Sequence, residues 1–470
     1  MSRPSIVVFM LLAFSANMLK AQADNKNLEI RSFIELVLQN HPVSKQAGLW
    51  VDKARYDLLA TRGSFDPKLK SNFNEKEFNG DTYWNTLDAS LNIPLWIGEI
   101  KAGYERSGGK YLNPEQLVDA GGLLYAGYTL PIGAGLFIDE RRNALQQAKL
   151  YVQASEAEQQ AMLSKLVAKA TSDYWNWYFA SEQLKLSEEV LTLAEFRFNA
   201  IRELFKGGNQ SALDTVEAFG NLLQRQNQVN QGRIDLQNAV ARISVHIWDE
   251  EGRPAQLSPT LQPQYINVFS GFEMTKTDSL IEAVRANHPL LTKQKTEIDQ
   301  LDIERRFRAE QLKPELNLTY NFLRNAEGKQ AENEGQLFMN NYKVGVSAGM
   351  PLLLRKERGK LRSTQTLRNI RRLEYDRTDR SLELNLRARL TEISLLREQL
   401  VRQETIYRAA KQLVEGEQNR FLNGESSVFM VNTRENNLLT LGLKLAELQQ
   451  KFAKSIALFY EEAGIYRWNY

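Results

Sequence analysis

Ser32-Phe-Ile-Glu-Leu-Val-Leu-Gln-Asn-His-Pro42 recurs as Ser279-Leu-Ile-Glu-Ala-Val-Arg-Ala-Asn-His-Pro289. The offset, 279 − 32 = 247 residues, also carries Asp66-Pro67-Lys68-Leu69 onto Lys313-Pro314-Glu315-Leu316 without a gap. A helix break, a helix and a proline-marked strand entry therefore recur in one register. An internal duplication of this length points to an array or a pseudo-symmetric assembly. It fits poorly with an enzyme built around one pocket.

Proline placement extends the reading outward. The 12 prolines avoid two stretches, Ile132 to Arg253 and Leu352 to Tyr470, both rich in good helix formers. In the first, Leu163, Ala170, Trp177, Leu184, Leu191, Phe198 and Phe205 fall seven apart. In the second, Leu386, Ile393, Leu400, Tyr407, Val414 and Phe421 do the same. Sustained seven-residue spacing predicts a supercoiled seam between helices. Long helices are expected over Asp139–Lys206 and Lys356–Leu422, each about 100 Å at ~1.5 Å per residue. They end at Lys206-Gly-Gly-Asn209 and Asn423-Gly-Glu425, and helices return over Ser211–Asp249 and Ser426–Glu462.

Alternating segments precede each hairpin. Leu87, Ala89, Leu91 and Ile93 interleave with Thr86, Asp88, Ser90 and Asn92. Leu316, Leu318, Tyr320 and Phe322 interleave with Asn317, Thr319 and Asn321; Tyr342, Val344, Val346, Ala348 and Met350 interleave with Lys343, Gly345, Ser347 and Gly349. Leu124, Ala126, Tyr128 and Leu130 follow the same rule. Period two in segments of about ten residues is the pattern of outer-membrane barrel strands; a soluble half-buried sheet gives the same pattern. On the barrel reading Leu318, Tyr320, Val344 and Val346 face lipid. Phe78, Tyr83, Trp84, Trp96, Tyr104, Phe322, Phe338 and Tyr342 lie near strand ends and fit an interfacial girdle. The first repeat holds extra alternating material, Trp84 to Arg106, with a loop Ser107 to Gly121.

The expected fold class is an α+β membrane protein, internally duplicated, with long antiparallel helical hairpins and barrel strands. The expected organisation is a signal peptide over 1–23 and a first repeat over 24–250, with helices in 28–62, strands within 67–131 and a hairpin over 139–249. A proline-bearing linker, 251–274, leads to a second repeat over 275–462. Its helices lie in 279–311, its strands within 314–351 and its hairpin over 356–462; a tail, 463–470, follows.

Arg3, the apolar run Ile6 to Phe14 and the Ala21-Gln-Ala23 cleavage pattern make the signal peptide. No apolar run approaches the length of a membrane-spanning helix, so a membrane form must be a barrel. The formal charge is +3, and removing Arg3 and Lys20 leaves 60 − 2 − 57 = +1. That balance gives no support to a nucleic-acid partner. There are no cysteines, so an exported form holds together by packing or oligomerisation.

In order and spacing, these features resemble the TolC-like outer membrane efflux protein family over nearly all of the mature chain. The resemblance rests on the repeated Asn-His-Pro and proline-marked strand entries, two strand-to-long-helix units and Glu140-Arg-Arg142. It rests also on the tips Arg202-Glu-Leu-Phe-Lys-Gly-Gly-Asn-Gln-Ser-Ala-Leu-Asp214 and Arg420-Phe-Leu-Asn-Gly-Glu-Ser-Ser-Val-Phe429. It implies a homotrimer forming one barrel and a periplasmic helical tunnel. It implies docking on a periplasmic adaptor (membrane fusion) protein tied to an inner-membrane RND or ABC transporter, with passive conduction to the exterior. The tip residues Gly207, Gly208, Asn209, Asp214, Asn423, Gly424, Glu425 and Ser426 are the expected docking surface. Where the family carries aspartates after the second tip, this chain has Met430 and Thr433. Three chains give about 12 strands, or about 18 if the extra hairpin joins.

No catalytic site, cofactor or metal site is expected. Three histidines and no cysteine offer little chemistry, and no nucleotide-binding or hydrolase motif occurs. His41 and His288 read as helix-break residues before Pro42 and Pro289, and His246 as a packed helix residue. Tyr174, Trp175, Trp177, Tyr178 and Phe179 are either a stacking platform for cargo or, the better reading, core. Arg355, Lys356, Arg358, Lys360 and Arg362 are either a basic collar under the barrel or a solvated helix face. The rival to a conduit is a structural coiled-coil envelope protein without channel activity.

Overall fold

The structure, a computed structural model, describes residues 27–118, 121–208, 210–258, 261–265, 277–326 and 341–467. The export signal over 1–23, the tip residue Asn209, the girdle aromatic Phe338, much of the linker and residues 468–470 of the tail lie outside the described residues.

After a short strand β1 (Asn27–Leu28), helices α1 (Ile30–Asn40) and α2 (Pro42–Arg62) are parted at His41. Proline disfavours a helical backbone at the residue before it, and His41 is extended at ψ 133°. A 3-10 turn, Gly63–Phe65, leads into β2 (Lys68–Phe78), β3 (Asp81–Pro94), β4 (Glu99–Gly108) and β5 (Leu123–Pro131). The long helix α3 (Glu140–Lys206) and its return α4 (Ala212–Ser244) complete the first repeat. In the linker, β6 (Gln262–Pro263) pairs in parallel with β1. The second repeat runs α5 (Thr277–Asn287), α6 (Pro289–Glu310), β7 (Glu315–Asn325), β8 (Tyr342–Gly349), α7 (Arg355–Leu422) and α8 (Val428–Glu462). The repeats thus contribute four and two strands, and all six join one antiparallel sheet in the order β2-β3-β4-β5-β7-β8. The extra hairpin of the first repeat is β3-β4, part of the sheet rather than a side loop.

The long helices match their expected spans to within one residue. Their returns are shorter than expected at the ends. Ser211 and Ser427 are N-caps and lie outside α4 and α8. The first return stops at Ser244, so His246 lies in the turn beyond the helix, buried nonetheless. The seven-residue seams are buried or half-buried, except that Phe205 at the end of the first is 44 % exposed. No helix among the described residues is long and apolar enough to cross a membrane.

The chain divides into two compact units: Met1–Leu49, Ala157–Leu291 and Thr378–Tyr470 form a helical unit, and Trp50–Glu156 with Thr292–Arg377 form a sheet unit. The helical unit has its core where α1, α3, α4 and α8 meet. Phe33 and Val37, Tyr174 and Trp177, Ile243 and Ala453 belong to that cluster. Four of the five mid-helix aromatics, Tyr174, Trp175, Trp177 and Tyr178, are therefore core, and Phe179 is half-buried beside them. The Tyr174 hydroxyl lies 2.8 Å from the carbonyl of Leu28 and 2.9 Å from that of Gln264, which ties the β1-β6 pair to α3. A smaller cluster of Ile201, Ala218 and Val428 packs the two hairpins together near their tips.

Candidate functional surfaces: the sheet faces and the hairpin tips

Register turns the alternation of single strands into two continuous faces. Ile93 pairs with Ile100, Ile100 with Tyr128, Tyr128 with Tyr320 and Tyr320 with Val344. The next row on the same face runs Leu69, Leu91, Ala102, Ala126, Phe322, Tyr342. Leu318 pairs with Val346 there too. Leu318, Tyr320, Val344 and Val346 thus share one apolar face, and Val346 is 70 % exposed. The opposite face carries Lys68, Asn92, Lys101, Gly127, Asn321 and Lys343 in a single row. Its charges are of both signs: Lys101 lies 3.8 Å from Asp88, which accepts a hydrogen bond from Tyr125 at 2.8 Å. One face is mostly apolar and the other mostly polar.

Two features make the sheet incomplete in one chain. Its edge strands β2 and β8 are exposed along their full length. A bare edge is a row of unpaired N–H and C=O groups that invites another strand. The rows are also staggered. The row that starts at Lys68, the first residue of β2, meets β8 at Lys343, six positions short of its end at Gly349. Stagger of this kind is what tilted barrel strands need.

Glu140-Arg-Arg142 lies where the sheet hands over to α3. The Asp139 carboxylate caps the helix by accepting the Arg142 N–H at 2.9 Å. The buried Arg142 guanidinium donates to that carboxylate at 3.1 Å, to the Leu136 carbonyl at 3.0 Å and to the Gly135 carbonyl. Burial alone would raise the Asp139 carboxyl; the hydrogen bonds from Arg142 and Arg141 overcome it and hold it below the ordinary range. The motif is thus a structural corner. Arg355, Lys356, Arg358, Lys360 and Arg362 are exposed, and none forms an ion pair among the described residues.

The tips are turn devices with exposed rims. Gly208 and Gly424 take φ of +76° and +77°, a region where only glycine is unstrained. Gly207 is not in that region; its N–H still bonds the Glu203 carbonyl in helical fashion. Of the three tip glycines, two hold positive φ. The second tip closes with Glu425 N–H on the Arg420 carbonyl and Gly424 N–H on that of Phe421, the six-to-one and five-to-two bonds of a Schellman ending. Asp214 is engaged: it and Ser211 form a reciprocal capping box. Ser426 donates to Glu417 at 2.6 Å. Asn423, Gly424 and Glu425 remain exposed.

Sequence reasoning chose polar tip residues and passed over the apolar ones. Leu213 is 75 % exposed, Val216 68 %, Leu422 72 % and Phe429 64 %. Their signal was available, since each falls off the seven-residue seam. It also missed a buried polar network behind the tips. Arg197 of α3 meets Asn432 and Glu435 of α8. Asn221 of α4 donates to Asn432 at 2.8 Å, and Arg225 meets Asn436. The sequence gives little warning of it, because these residues look like helix surface.

The histidines are structural in place. His41 Nδ1 accepts the Val43 N–H at 3.1 Å, while His288 Nε2 donates to the Glu462 carbonyl at 2.9 Å. His246 Nε2 lies 3.0 Å from Asp173. Among the described residues no group of three or more His, Asp or Glu side chains could hold a metal ion.

The model of the outer membrane efflux protein family matches residues 33–246 and 280–458, one segment per repeat. The chain belongs to that family. Its place is the cell outer membrane, and its class is that of the outer membrane efflux proteins. No protein of curated function matches the sequence. Among solved structures, the Campylobacter jejuni CmeC outer membrane channel superposes with a TM-score of 0.64 at 15 % identity, over 95 % of this chain and 87 % of its own. The open-state Neisseria gonorrhoeae MtrE outer membrane channel gives 0.66 at 16 %, over 93 % and 89 %. The Vibrio cholerae outer membrane protein VceC gives 0.61 at 15 %, over 93 % and 97 %. At these identities the likeness is one of fold.

Proposed function

We propose that this chain is one third of a trimeric outer-membrane conduit, which passively passes cargo from a periplasmic adaptor and an inner-membrane RND or ABC transporter to the exterior. The observation that carries the reading is the six-stranded sheet: one registered apolar face, one polar face, staggered rows and two bare edges. Six antiparallel strands leave β2 and β8 running in opposite senses. The edge of one copy can therefore pair antiparallel with the other edge of the next. Three copies close about 18 strands, wide enough for a water-filled pore, and six alone are too few. The polar face then lines the lumen, and Leu318, Tyr320, Val344 and Val346 meet lipid.

The helical hairpins extend into the periplasm on this reading, and their tips dock on the adaptor. The exposed Asn423, Gly424 and Glu425, with Leu213, Val216, Leu422 and Phe429 around them, supply a mixed apolar and polar rim, as docking surfaces commonly do. No bond chemistry is assigned, and the driving energy comes from the inner-membrane partner.

The test is the mass of the full-length protein extracted in mild detergent, followed by conductance in planar bilayers. Trimers that form ion-conducting channels are expected. Monomers or dimers, or trimers that never conduct even with the tips destabilised, would overturn the reading in favour of a structural envelope protein.

A further inference from the structure

The apolar face carries a groove that the barrel reading does not explain. Its floor is the backbone of Ser90, Gly103, Tyr125 and Leu323; Gly103 has no side chain, and those of the other three point to the polar face. Its walls are the rows on either side. Ala102 and Ala126, with Leu91 and Phe322 at their flanks, form the wall nearer the helix-joined end of the sheet. Ala89, Tyr104, Leu124 and Arg324 form the wall nearer the loops. Two adjacent alanines among bulky neighbours make the depression, and its volume is about 560 Å³. It is an open depression that can cover one side of a chain, not an enclosed site.

Arg324 is the odd residue of this wall. It is exposed on a mostly apolar face, and it makes no ion pair among the described residues. Arg106 is in the same condition, on the same face and one row closer to the loops, opposite Leu87. Arg324 shares a row with Tyr104, two strands away, and Arg106 is two residues beyond Tyr104. At about 4.8 Å per strand and 3.4 Å per residue, the two Cα atoms are roughly 12 Å apart. Both flexible guanidinium groups can reach one headgroup from there. An unpaired guanidinium facing lipid is costly unless it meets an anion, and it binds phosphate in a bidentate fork.

We propose that this groove binds a phosphate-bearing lipid of the outer leaflet, with an acyl chain over Ala102 and Ala126 and the phosphate on Arg324 and Arg106. The inference rests on the conduit reading above and adds the ligand class to its lipid face. Polarity supports it independently of charge. Both arginines are on the loop side of the apolar groove, and the loops face the exterior on that reading. An outer-leaflet lipid has the same order, headgroup outward and chains inward. The occupant is a lipid rather than a free anion, because the groove is apolar and continuous with the arginine wall.

The trimer in mild detergent can be examined by native mass spectrometry with phosphatidylglycerol, with diacylglycerol of the same chains, and with inorganic phosphate alone. Wild type should retain phosphatidylglycerol roughly tenfold over diacylglycerol, the scale of one charge-assisted hydrogen-bonded pair. Arg324→Gln should abolish most of that preference while diacylglycerol retention is unchanged, and Arg106→Gln should reduce it less. Ala126→Phe, which fills the groove, should lower retention of both lipids. Equal retention of the two lipids by wild type, or an unchanged preference in Arg324→Gln, would overturn the proposal. Displacement of the lipid by inorganic phosphate alone would overturn it too, since it would leave the groove no part. The same spectra count the copies. Trimers without a headgroup preference defeat this inference only; single chains defeat the conduit reading and this inference with it.

Discussion

The two long helices begin at equivalent corners and end at equivalent tips, yet they are packed differently. At its start α3 is capped by Asp139 and tied by Arg142, which is 2 % exposed. The start of α7 follows Leu352 and Leu353, 96 % and 63 % exposed, and carries five cations that form no ion pair among the described residues. Farther along, α3 buries Tyr174, Trp175 and Trp177. In the same unit α7 buries Leu386, Ile393 and Leu400 on one side and exposes Leu384, Leu395 and Ile406 on another. The buried set repeats every seven residues and the exposed set every eleven. Both are periods of helices that wind about a neighbour. The duplication copied the backbone plan and not the partners. The aromatic middle of the first long helix finds its cover within the chain, and the second long helix keeps an apolar stripe at the same level without cover in its own chain. A second copy of the chain is the cover that the conduit reading supplies.

The largest effect should separate these two situations. Trp177→Ala empties a fully buried site and should cost about 3–5 kcal/mol of chain stability. Leu395→Ala, on the exposed stripe, should change chain stability by less than about 0.5 kcal/mol but release monomers from the trimer. Denaturant midpoints read the first quantity and mass in detergent the second. Equal losses of stability at the two sites would erase the contrast, and so would an intact trimer in Leu395→Ala.

The corners come next. Arg142→Met leaves the Asp139 carboxylate only Arg141 as a cation, strips the Leu136 and Gly135 carbonyls of their donor, and should cost about 3 kcal/mol, at the lower end for a broken buried pair because one partner and some solvent remain. Arg358→Met at the other corner should stay within about 0.5 kcal/mol. The loss at Arg142 should be seen as a lower unfolding temperature of the assembled protein. A neutral Arg142→Met would mean that the helix cap alone fixes the corner.

Most of this plan is legible in the residues. Proline-free stretches and seven-residue spacing place the long helices within a residue, because regular burial over many turns leaves a strong periodic trace. The strands are legible for the same reason, and so is the turn at Gly424. What is not legible follows from contacts distant in sequence. Nothing local shows that the β3-β4 hairpin enters the sheet, since registration with β2 and β5 decides it. The buried Arg197–Glu435 pair looks like two surface charges until α3 and α8 are side by side. The linker shows only its prolines in sequence, yet Gln262–Pro263 pairs with Asn27–Leu28, and the Tyr174 hydroxyl holds both segments. Asp214 looked like a docking acid, and the capping box with Ser211 takes up its carboxylate.

The repeated Asn-His-Pro break sharpens the comparison at the level of single atoms. Burial, with the nearby His246, lowers the His41 imidazole below its ordinary value. Burial also lowers His288, although its bond to the Glu462 carbonyl works against the shift. Both rings are therefore neutral in the folded chain at pH values where the unfolded chain binds protons. Stability is greatest above the unfolded value of about 6.5 and falls as pH drops from there through the lowered folded values. His41→Asn preserves an acceptor at the Nδ1 position and His288→Gln a donor at the Nε2 position. Each should fold at pH 7.5 and show a shallower loss of unfolding temperature by pH 5.5 than wild type. The swapped variants, His41→Gln and His288→Asn, should be less stable at both pH values. An unfolding temperature that is flat across this range in wild type would refute the burial argument for both joints.

The smallest effects belong to the tips, and there the contrast is between glycines. Gly424 and Gly208 hold positive φ, with nothing within 4 Å of an added Cβ. Alanine at either site meets no clash and pays only backbone strain, about 1 kcal/mol. Gly207 has no such constraint, and alanine there should be neutral or stabilising by about 0.5 kcal/mol, since it stiffens the unfolded chain. Differences this small are best read locally, by amide hydrogen exchange at Glu425 and Gly208, whose N–H groups close the two turns. Faster exchange is expected in Gly424→Ala and Gly208→Ala and not in Gly207→Ala. The same variants probe docking. If the tips meet the adaptor, cross-linking from Glu425→Cys should weaken when Gly424 is also alanine and persist when Gly207 is. Cross-linking that is indifferent to both glycines would mean that the turn shape is no part of the docking surface, and would shift attention to the exposed Leu422 and Phe429 beside it.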